Sequence, residues 1–194
     1  MRNVLAENLF AVSGVLSAQE CEELMARGEG MGFEAATVSV ASGPRMMTNV
    51  RNNDRVVFDD AELGRMLWDR VNGQLPSKID GASAVGLNEK FRYYRYGPSQ
   101  RFHAHRDGAV ELGAGEKSRL TFMVYLNGGF EGGQTVFYSE ERVGGLRKVV
   151  ASVEPVAGMG LFFAHEWWHE GAAVVSGRKY VLRTDVMYKS DSVG

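Results

Sequence analysis

All four histidines of the chain fall into two pairs, His103 with His105 and His165 with His169. His105 is followed by Arg106 and Asp107. On an extended backbone residues i and i+2 point to the same face, so His105 and Asp107 can aim an imidazole and a carboxylate at one point. A third ligand from a distant strand would complete a face of two histidines and one carboxylate. That face suits Fe(II), because it leaves open positions on one side of the metal for an oxidisable cosubstrate and dioxygen. His-x-Asp is common by chance, so the pair alone does not carry the assignment. His103 shares its spacing and reads as a structural or turn residue.

The second pair offers a rival chemistry. His165-Glu166-Trp167-Trp168-His169 is a literal His-Glu-x-x-His, the zinc metalloprotease pattern. It requires a helix, which puts both imidazoles on one face with Glu166 as general base. The flanks argue against a helix. Gly158 to Phe163 reads as a turn and a buried strand, and Gly171 to Gly177 as a strand ending in a turn. A third ligand is also hard to find, since Glu170, Asp185 and Asp191 are the only acids after His169. His165 therefore reads as a structural or supporting histidine, and Trp167 and Trp168 as packing or rim residues.

The elements that must position these groups are short strands. From Glu89 onward apolar residues stand in brief runs, often with period two, and glycines punctuate them. This predicts seven or eight strands in a sandwich or barrel. The first part reads as mixed. Leu9 to Val12 looks like a strand. Ser17-Ala18-Gln19-Glu20 is a capping box, and the helix it opens is expected to stop at Gly28, Gly30 and Gly32. Asp59 and Asp60 precede a second helix with Leu63, Met66, Leu67, Trp68 and Val71 on one face. Residues 41–55 have no clear period and read as a loop in which Arg51, Asn52 and Asn53 form a solvated turn. The fold class expected is mainly β with flanking α-helices. It is expected as a single domain over 1–194, with mixed support over 1–85 and a β core over 86–189.

Composition removes several classes. The chain has 194 residues, 22 basic and 24 acidic, for a net charge of −2. That balance argues against a nucleic-acid binder. No window approaches the roughly 20 apolar residues of a membrane span. Cys21 is the sole cysteine, which excludes an internal disulfide and fits a reducing compartment. No secretory peptide is read at the start, so a cytoplasmic protein is expected. No sequence feature points to an oligomeric state.

The stretch from Gly86 to Lys189 resembles the Fe(II)/2-oxoglutarate-dependent oxygenases, specifically the prolyl 4-hydroxylase-like branch. The matching elements stand in order: Tyr96-Gly97 and Phe102, His105-Arg106-Asp107, Ser118 to Phe122 running into Tyr125-Leu126-Asn127, Phe130 to Thr135, His169-Glu170-Gly171, Gly177-Arg178-Lys179, and Arg183 to Tyr188. Gln134 departs from the branch, which usually shows glutamate there. The resemblance implies a double-stranded β-helix, a jelly-roll cup. It implies His105, Asp107 and His169 as iron ligands and Lys179, ten residues beyond the distal histidine, as the partner of the far carboxylate of 2-oxoglutarate. Tyr96 and Thr121 are the implied hydroxyl donors to that molecule, with Tyr125 a weaker candidate. Arg178 and Arg183 are rival carboxylate partners, of which only Arg183 shares the parity of Lys179. The expected cofactor set is Fe(II), 2-oxoglutarate and dioxygen, with ascorbate as an auxiliary reductant. The expected reaction is hydroxylation of an unactivated carbon, in a prolyl residue of a peptide or in a free amino acid or small metabolite. The alternatives are the zinc metalloprotease and a non-catalytic ligand-binding β-helix domain, and the latter would show a broken ligand set.

Overall fold

Alternation along three long strands decides which side chains meet. In Glu116–Tyr125, Leu120, Phe122 and Val124 join one apolar cluster, while Met123 and Tyr125 join another. In Gly160–Ala164, Phe162 belongs to the first cluster and Leu161 and Phe163 to the second. In Lys179–Ser190, Leu182 and Val186 face the first cluster, and the parity of Lys179, Val181, Arg183 and Asp185 places them on the other face. Both faces of these strands are largely covered, so Gly160–Ala164 reads as a continuous apolar run, while the two longer strands also bury polar residues such as Thr121, Lys179 and Asp185.

The computed structural model describes residues 1–190 apart from 41, 42, 46, 48 and 114. The larger sheet runs in the order Arg2–Ala6, Leu9–Val12, Gly160–Ala164, Glu116–Tyr125, Lys179–Ser190, Lys90–Tyr96, Asp54–Asp59, Glu34–Ala35. A smaller sheet runs Phe102–His105, Trp168–Gly171, Thr135–Val143, Leu146–Val153. The second cluster, including Tyr94, Tyr96, Tyr125, Phe137 and Phe163, draws on strands of both sheets. This is the two-sheet jelly roll expected. Among the described residues no helix is long and apolar enough to cross a membrane.

Two helices cover the outer face of the larger sheet. Helix α1 (Ala18–Met31) starts at the expected capping box: the Glu20 amide donates to Ser17 Oγ at 3.2 Å, and the Ser17 amide to Glu20 Oε2 at 2.8 Å. It does not stop at Gly28. Helix α1 continues through Gly28 and Gly30 to a cap at Gly32. A Cβ on Gly28 would lie 3.3 Å from the Tyr93 ring, so that glycine lets the helix backbone lie close against an aromatic of the sheet. Helix α2 (Ala61–Val71) is capped by Asp60, whose Oδ1 accepts from the Leu63 amide at 2.8 Å, and it buries Leu63, Leu67 and Val71. The first cluster, with Phe91, Tyr93, Phe122 and Phe162, fills the space between helices and sheet.

The region 41–55 is more ordered than the expected loop. Gly43–Arg45 pairs with Val38–Val40, and Asp54 and Arg55 begin a strand that pairs with Lys90–Tyr96. Residues 41, 42, 46 and 48 lie outside the described residues. Arg51 and Asn53 are buried and not in a solvated turn, and Arg51 bridges to Phe102. The expectation failed because the strands are short: Gly43–Arg45 is ordered by a local hairpin with Val38–Val40, and Asp54–Asp59 by its long-range partner Lys90–Tyr96.

Gly158 closes the loop before Gly160–Ala164. Its φ is +75°, and a Cβ there would sit 2.1 Å from the Leu16 carbonyl oxygen. Its own carbonyl accepts from the Val15 amide at 2.9 Å. Gly158→Ala should cost about 2 kcal/mol or more, a fall in Tm on the order of 5 °C. Thermal unfolding measures this, and an unchanged Tm would show that the turn re-forms without strain.

Candidate metal centre and cosubstrate cavity

His105 and His169 are cross-strand partners in the smaller sheet. The pairing of Phe102–His105 with Trp168–Gly171 therefore brings together two histidines 64 positions apart by backbone register alone. Each ring is oriented in the same way. His105 Nδ1 lies 2.8 Å from the His103 carbonyl oxygen and His169 Nδ1 lies 2.9 Å from that of Trp167. Those contacts place the ring proton on Nδ1 and leave each Nε2 as a lone-pair donor. Asp107 follows at the strand end, its amide donating to the His165 carbonyl at 3.2 Å. His105 Nε2 is 3.6 Å from Asp107 Oδ1, and His169 Nε2 is 3.7 Å from Oδ2. The ligand atoms of the three side chains all lie within 4.8 Å of one another. These separations exceed hydrogen bonds, as expected of donors spaced to share one cation.

The electrostatics prepare the same role. Burial pushes the Asp107 carboxyl up, but Arg183, His169 and His105 outweigh it and hold the group well below the usual carboxylate range. Burial lowers His169 to about 4, so it is neutral at physiological pH and keeps its lone pair. Asp107 Oδ2 accepts from Thr121 Oγ1 at 2.6 Å and pairs with Arg183 Nη2 at 3.0 Å. No protein group donates a hydrogen bond to Oδ1 among the described residues, which leaves that oxygen for a metal. Two imidazole nitrogens and one carboxylate oxygen fit Fe(II).

His165 does not join them. Residues 165–167 form a turn, and Trp168–Gly171 is a strand. The His165 ring bridges Ser118 Oγ at 2.8 Å and Thr121 Oγ1 at 3.1 Å. The helix that a His-Glu-x-x-His site requires is absent here, and the two imidazoles are used separately. His103 also stays outside the ligand set, with its Nδ1 3.2 Å from Arg101 Nη2. Trp168 stacks under Arg147 at 3.9 Å, and Trp167 Nε1 donates to the Glu7 carbonyl at 3.1 Å, so both are packing residues.

A cavity joins the triad to Lys179, and Tyr96, Phe102, Thr135 and Val181 line it between them. Lys179 is 3% exposed. Its ammonium donates to the Gly133 carbonyl at 2.5 Å and lies 5.3 Å from the ring centres of both Tyr96 and Tyr125. No carboxylate answers it among the described residues, and burial pulls its pKa down to about 7. A buried ammonium with only a carbonyl and two ring faces is stabilised by an anionic partner, which fits a dicarboxylate such as 2-oxoglutarate. The Tyr96 hydroxyl makes no hydrogen bond among the described residues and is free to donate.

Thr121 is placed differently from the expectation. Its one hydroxyl proton goes to Asp107, and it does not line the cavity. It braces a ligand and is not positioned to donate to the cosubstrate. Thr135 lines the cavity instead and shares a 2.6 Å hydrogen bond with Tyr125. Sequence reasoning missed Thr135, because nothing in Gln134-Thr135 marks the inward face of its strand. Of the two rival arginines, Arg178 has an exposed side chain. Arg183 reaches Asp107 and also Asp185 Oδ1 at 3.4 Å. Its shared parity with Lys179 was the available signal.

Residues 91–184 match the family model described as the 2OG-Fe(II) oxygenase superfamily. No curated protein matches the chain in sequence. Among solved structures it is similar to the viral collagen prolyl hydroxylase vCPH from Paramecium Bursaria Chlorella virus-1, with 21% identity and a TM-score of 0.60 over 93% of this chain and 95% of that one. A Pseudomonas putida prolyl-4-hydroxylase gives 17% identity and a TM-score of 0.63 over 95% and 94%. A prolyl hydroxylase from Trichoplax adhaerens, in complex with a hypoxia inducible factor peptide fragment, gives 15% and 0.64 over 95% and 84%. At these identities the likeness is one of fold.

Proposed function

We propose that this chain, whose residues 91–184 match the family model of the 2OG-Fe(II) oxygenase superfamily, is a hydroxylase of that kind in which His105, Asp107 and His169 hold the iron and Lys179 anchors 2-oxoglutarate. The observation that carries this reading is one cavity lined by both the three converging donors and a buried, unanswered ammonium. Bound Fe(II), with 2-oxoglutarate and dioxygen, supplies the oxidising power: the 2-oxo acid loses carbon dioxide to become succinate while a substrate C–H becomes C–OH.

The protein's own part is placement. Lys179 pairs with the far carboxylate, and Tyr96 and Thr135 offer hydroxyls along the cavity. Arg183 and Thr121 hold one oxygen of Asp107 so that the other faces the metal position. Phe102, Met123 and Val181 keep water from the reacting end. Three of the similar structures are prolyl hydroxylases, one with a peptide bound, which supports a prolyl residue as substrate. A free amino acid or small metabolite fits the same chemistry. The lone, buried Cys21 supports a cytoplasmic setting. Ascorbate is the reductant to include in assays.

Adding 2-oxoglutarate to the Fe(II)-loaded protein under nitrogen should produce a weak visible charge-transfer band, and admitting air should release succinate. Neither signal with any candidate substrate would remove the assignment. The pH dependence has a definite sign. The free protein holds Lys179 at about 7, whereas the complex requires the ammonium. Binding therefore takes up a proton above pH 7, and the Kd for 2-oxoglutarate should rise about tenfold per pH unit there. Calorimetry in buffers of different ionisation enthalpy reads that proton directly. A flat Kd from pH 7 to 9 would show that Lys179 stays charged without its partner.

A further inference from the structure

A second cavity, of about 360 Å³, opens onto the same metal position, and Lys179 does not line it. We propose that this cavity binds the substrate and that the substrate is an anion, whose carboxylate or phosphate docks on Arg51, Arg55 and Arg92 beside the metal. The inference rests on the oxygenase reading and narrows its substrate class.

Five arginines line this cavity against two acids, Asp107 and Asp185, in a chain whose net charge is −2. Two of the five are accounted for. Arg106 pairs with Glu140 outside the cavity, and Arg183 pairs with Asp107 and Asp185. Of the remaining three, Arg51 and Arg55 have no carboxylate partner among the described residues, and Arg92 shares the single Asp185 carboxylate with Arg183. Arg51 is 4% exposed, yet its partners are neutral: Nε and Nη2 both donate to Asn53 Oδ1, at 3.0 and 2.9 Å, and the guanidinium lies over the Phe102 and Tyr94 rings. Arg55 Nη2 donates to Thr37 Oγ1 at 3.2 Å and has no carboxylate partner among the described residues. Arg92 Nη1 is buried and makes no hydrogen bond; its nearest acid oxygen, Asp185 Oδ2, is 3.6 Å away and equally unsatisfied.

The crowding of like charge shows in its neighbours. Burial raises the Tyr94 phenol, but Arg183, Arg51 and Arg92 outweigh burial and bring it below its ordinary value. Arg55 is lowered by burial first and then by Arg51, Arg92 and Arg183, with only Tyr94 acting against them. Neutral rings, an amide and a hydroxyl give Arg51 and Arg55 nothing to answer their charge, and Arg92 has only a share of Asp185. A carboxylate or phosphate matches the guanidinium fork and supplies the missing negative charge.

The test is calorimetric titration of the anaerobic, Fe(II)-loaded, 2-oxoglutarate-saturated protein with inorganic phosphate and, separately, with N-acetylglycine. At least one should bind at a single saturable site. Arg55→Gln and Arg92→Gln should each weaken that site about tenfold or more, while Arg55→Lys retains most of the affinity and the 2-oxoglutarate Kd stays fixed. The tighter of the two probes tells a carboxylate substrate from a phosphorylated one. A companion screen compares amino acids with their carboxamides by succinate release, and acids should exceed amides. Absence of saturable binding for both probes in the millimolar range, equal binding in the glutamine variants, or preference for amides overturns the proposal. Failure of the oxygenase reading shows separately, as no charge-transfer band on adding 2-oxoglutarate, and leaves the anion titration readable.

Discussion

His169→Ala should lower succinate release by roughly 10³-fold or more, the scale of the several kcal/mol that a correctly held metal contributes, and should leave the purified protein unable to retain iron. The triad has only three protein donors, so losing one removes a third of the grip and opens the defined face. The side chain is also packed, 4.5 Å from the Phe163 ring centre, so His169→Gln, which keeps most of the volume, separates lost ligation from lost packing. His165→Gln is the control. That ring holds Ser118 and Thr121 and not the metal position, so iron should remain bound. Metal analysis and succinate assay together decide. If His169→Ala keeps iron and turnover while His165→Gln loses both, the ligand assignment is wrong.

The second large effect has two opposed parts. Lys179→Met should raise the Kd for 2-oxoglutarate about 100-fold, on the scale of a charge-assisted hydrogen bond left unmade, while iron binding stays near normal. The same substitution should make the 2-oxoglutarate-free protein more stable to heat. Burial alone lowers this ammonium's pKa, which means that the charged form is unfavourable in the empty cavity, and an apolar chain of similar length removes the penalty. Opposite signs in affinity and stability are the signature of a group kept for its ligand. A variant that loses stability along with affinity would make Lys179 a structural residue instead.

Legibility in the sequence followed the distance over which each signal acts. The two helix starts were readable because their caps are local: Ser17 with Glu20, and Asp60 with Leu63. The strands from Lys90 onward were readable because short apolar runs, often with period two, are punctuated by glycines. His-x-Asp was readable because the two residues are near in sequence, although the strand ends at His105 and Asp107 is held just beyond it by its amide contact with the His165 carbonyl. The strands Arg2–Ala6 and Asp54–Asp59 were not read, since each is half-exposed and takes its order from an edge of the larger sheet. Helix α1 ran past Gly28 because the residue that favours glycine there, Tyr93, lies 65 positions away. The role of Thr121 was misjudged for the same reason. Its inward parity was plain, but whether it met cosubstrate or Asp107 depended on where a separate strand ended. The arginine-lined cavity gathers Arg51, Arg55, Arg92 and Arg183 from three segments, and no local pattern announces it.

The paired carbonyl contacts that lock both imidazoles have a consequence for which ion the protein acquires. With ring tautomers set before any cation arrives, the site cannot reject a competitor by refusing to rearrange. Preference then falls to the intrinsic ranking of the ions, in which cobalt, nickel and copper outrank ferrous iron for nitrogen and oxygen donors. Protein made in rich medium or passed over a nickel column should emerge partly mismetallated and inert, and a chelation step followed by ferrous salt should restore it.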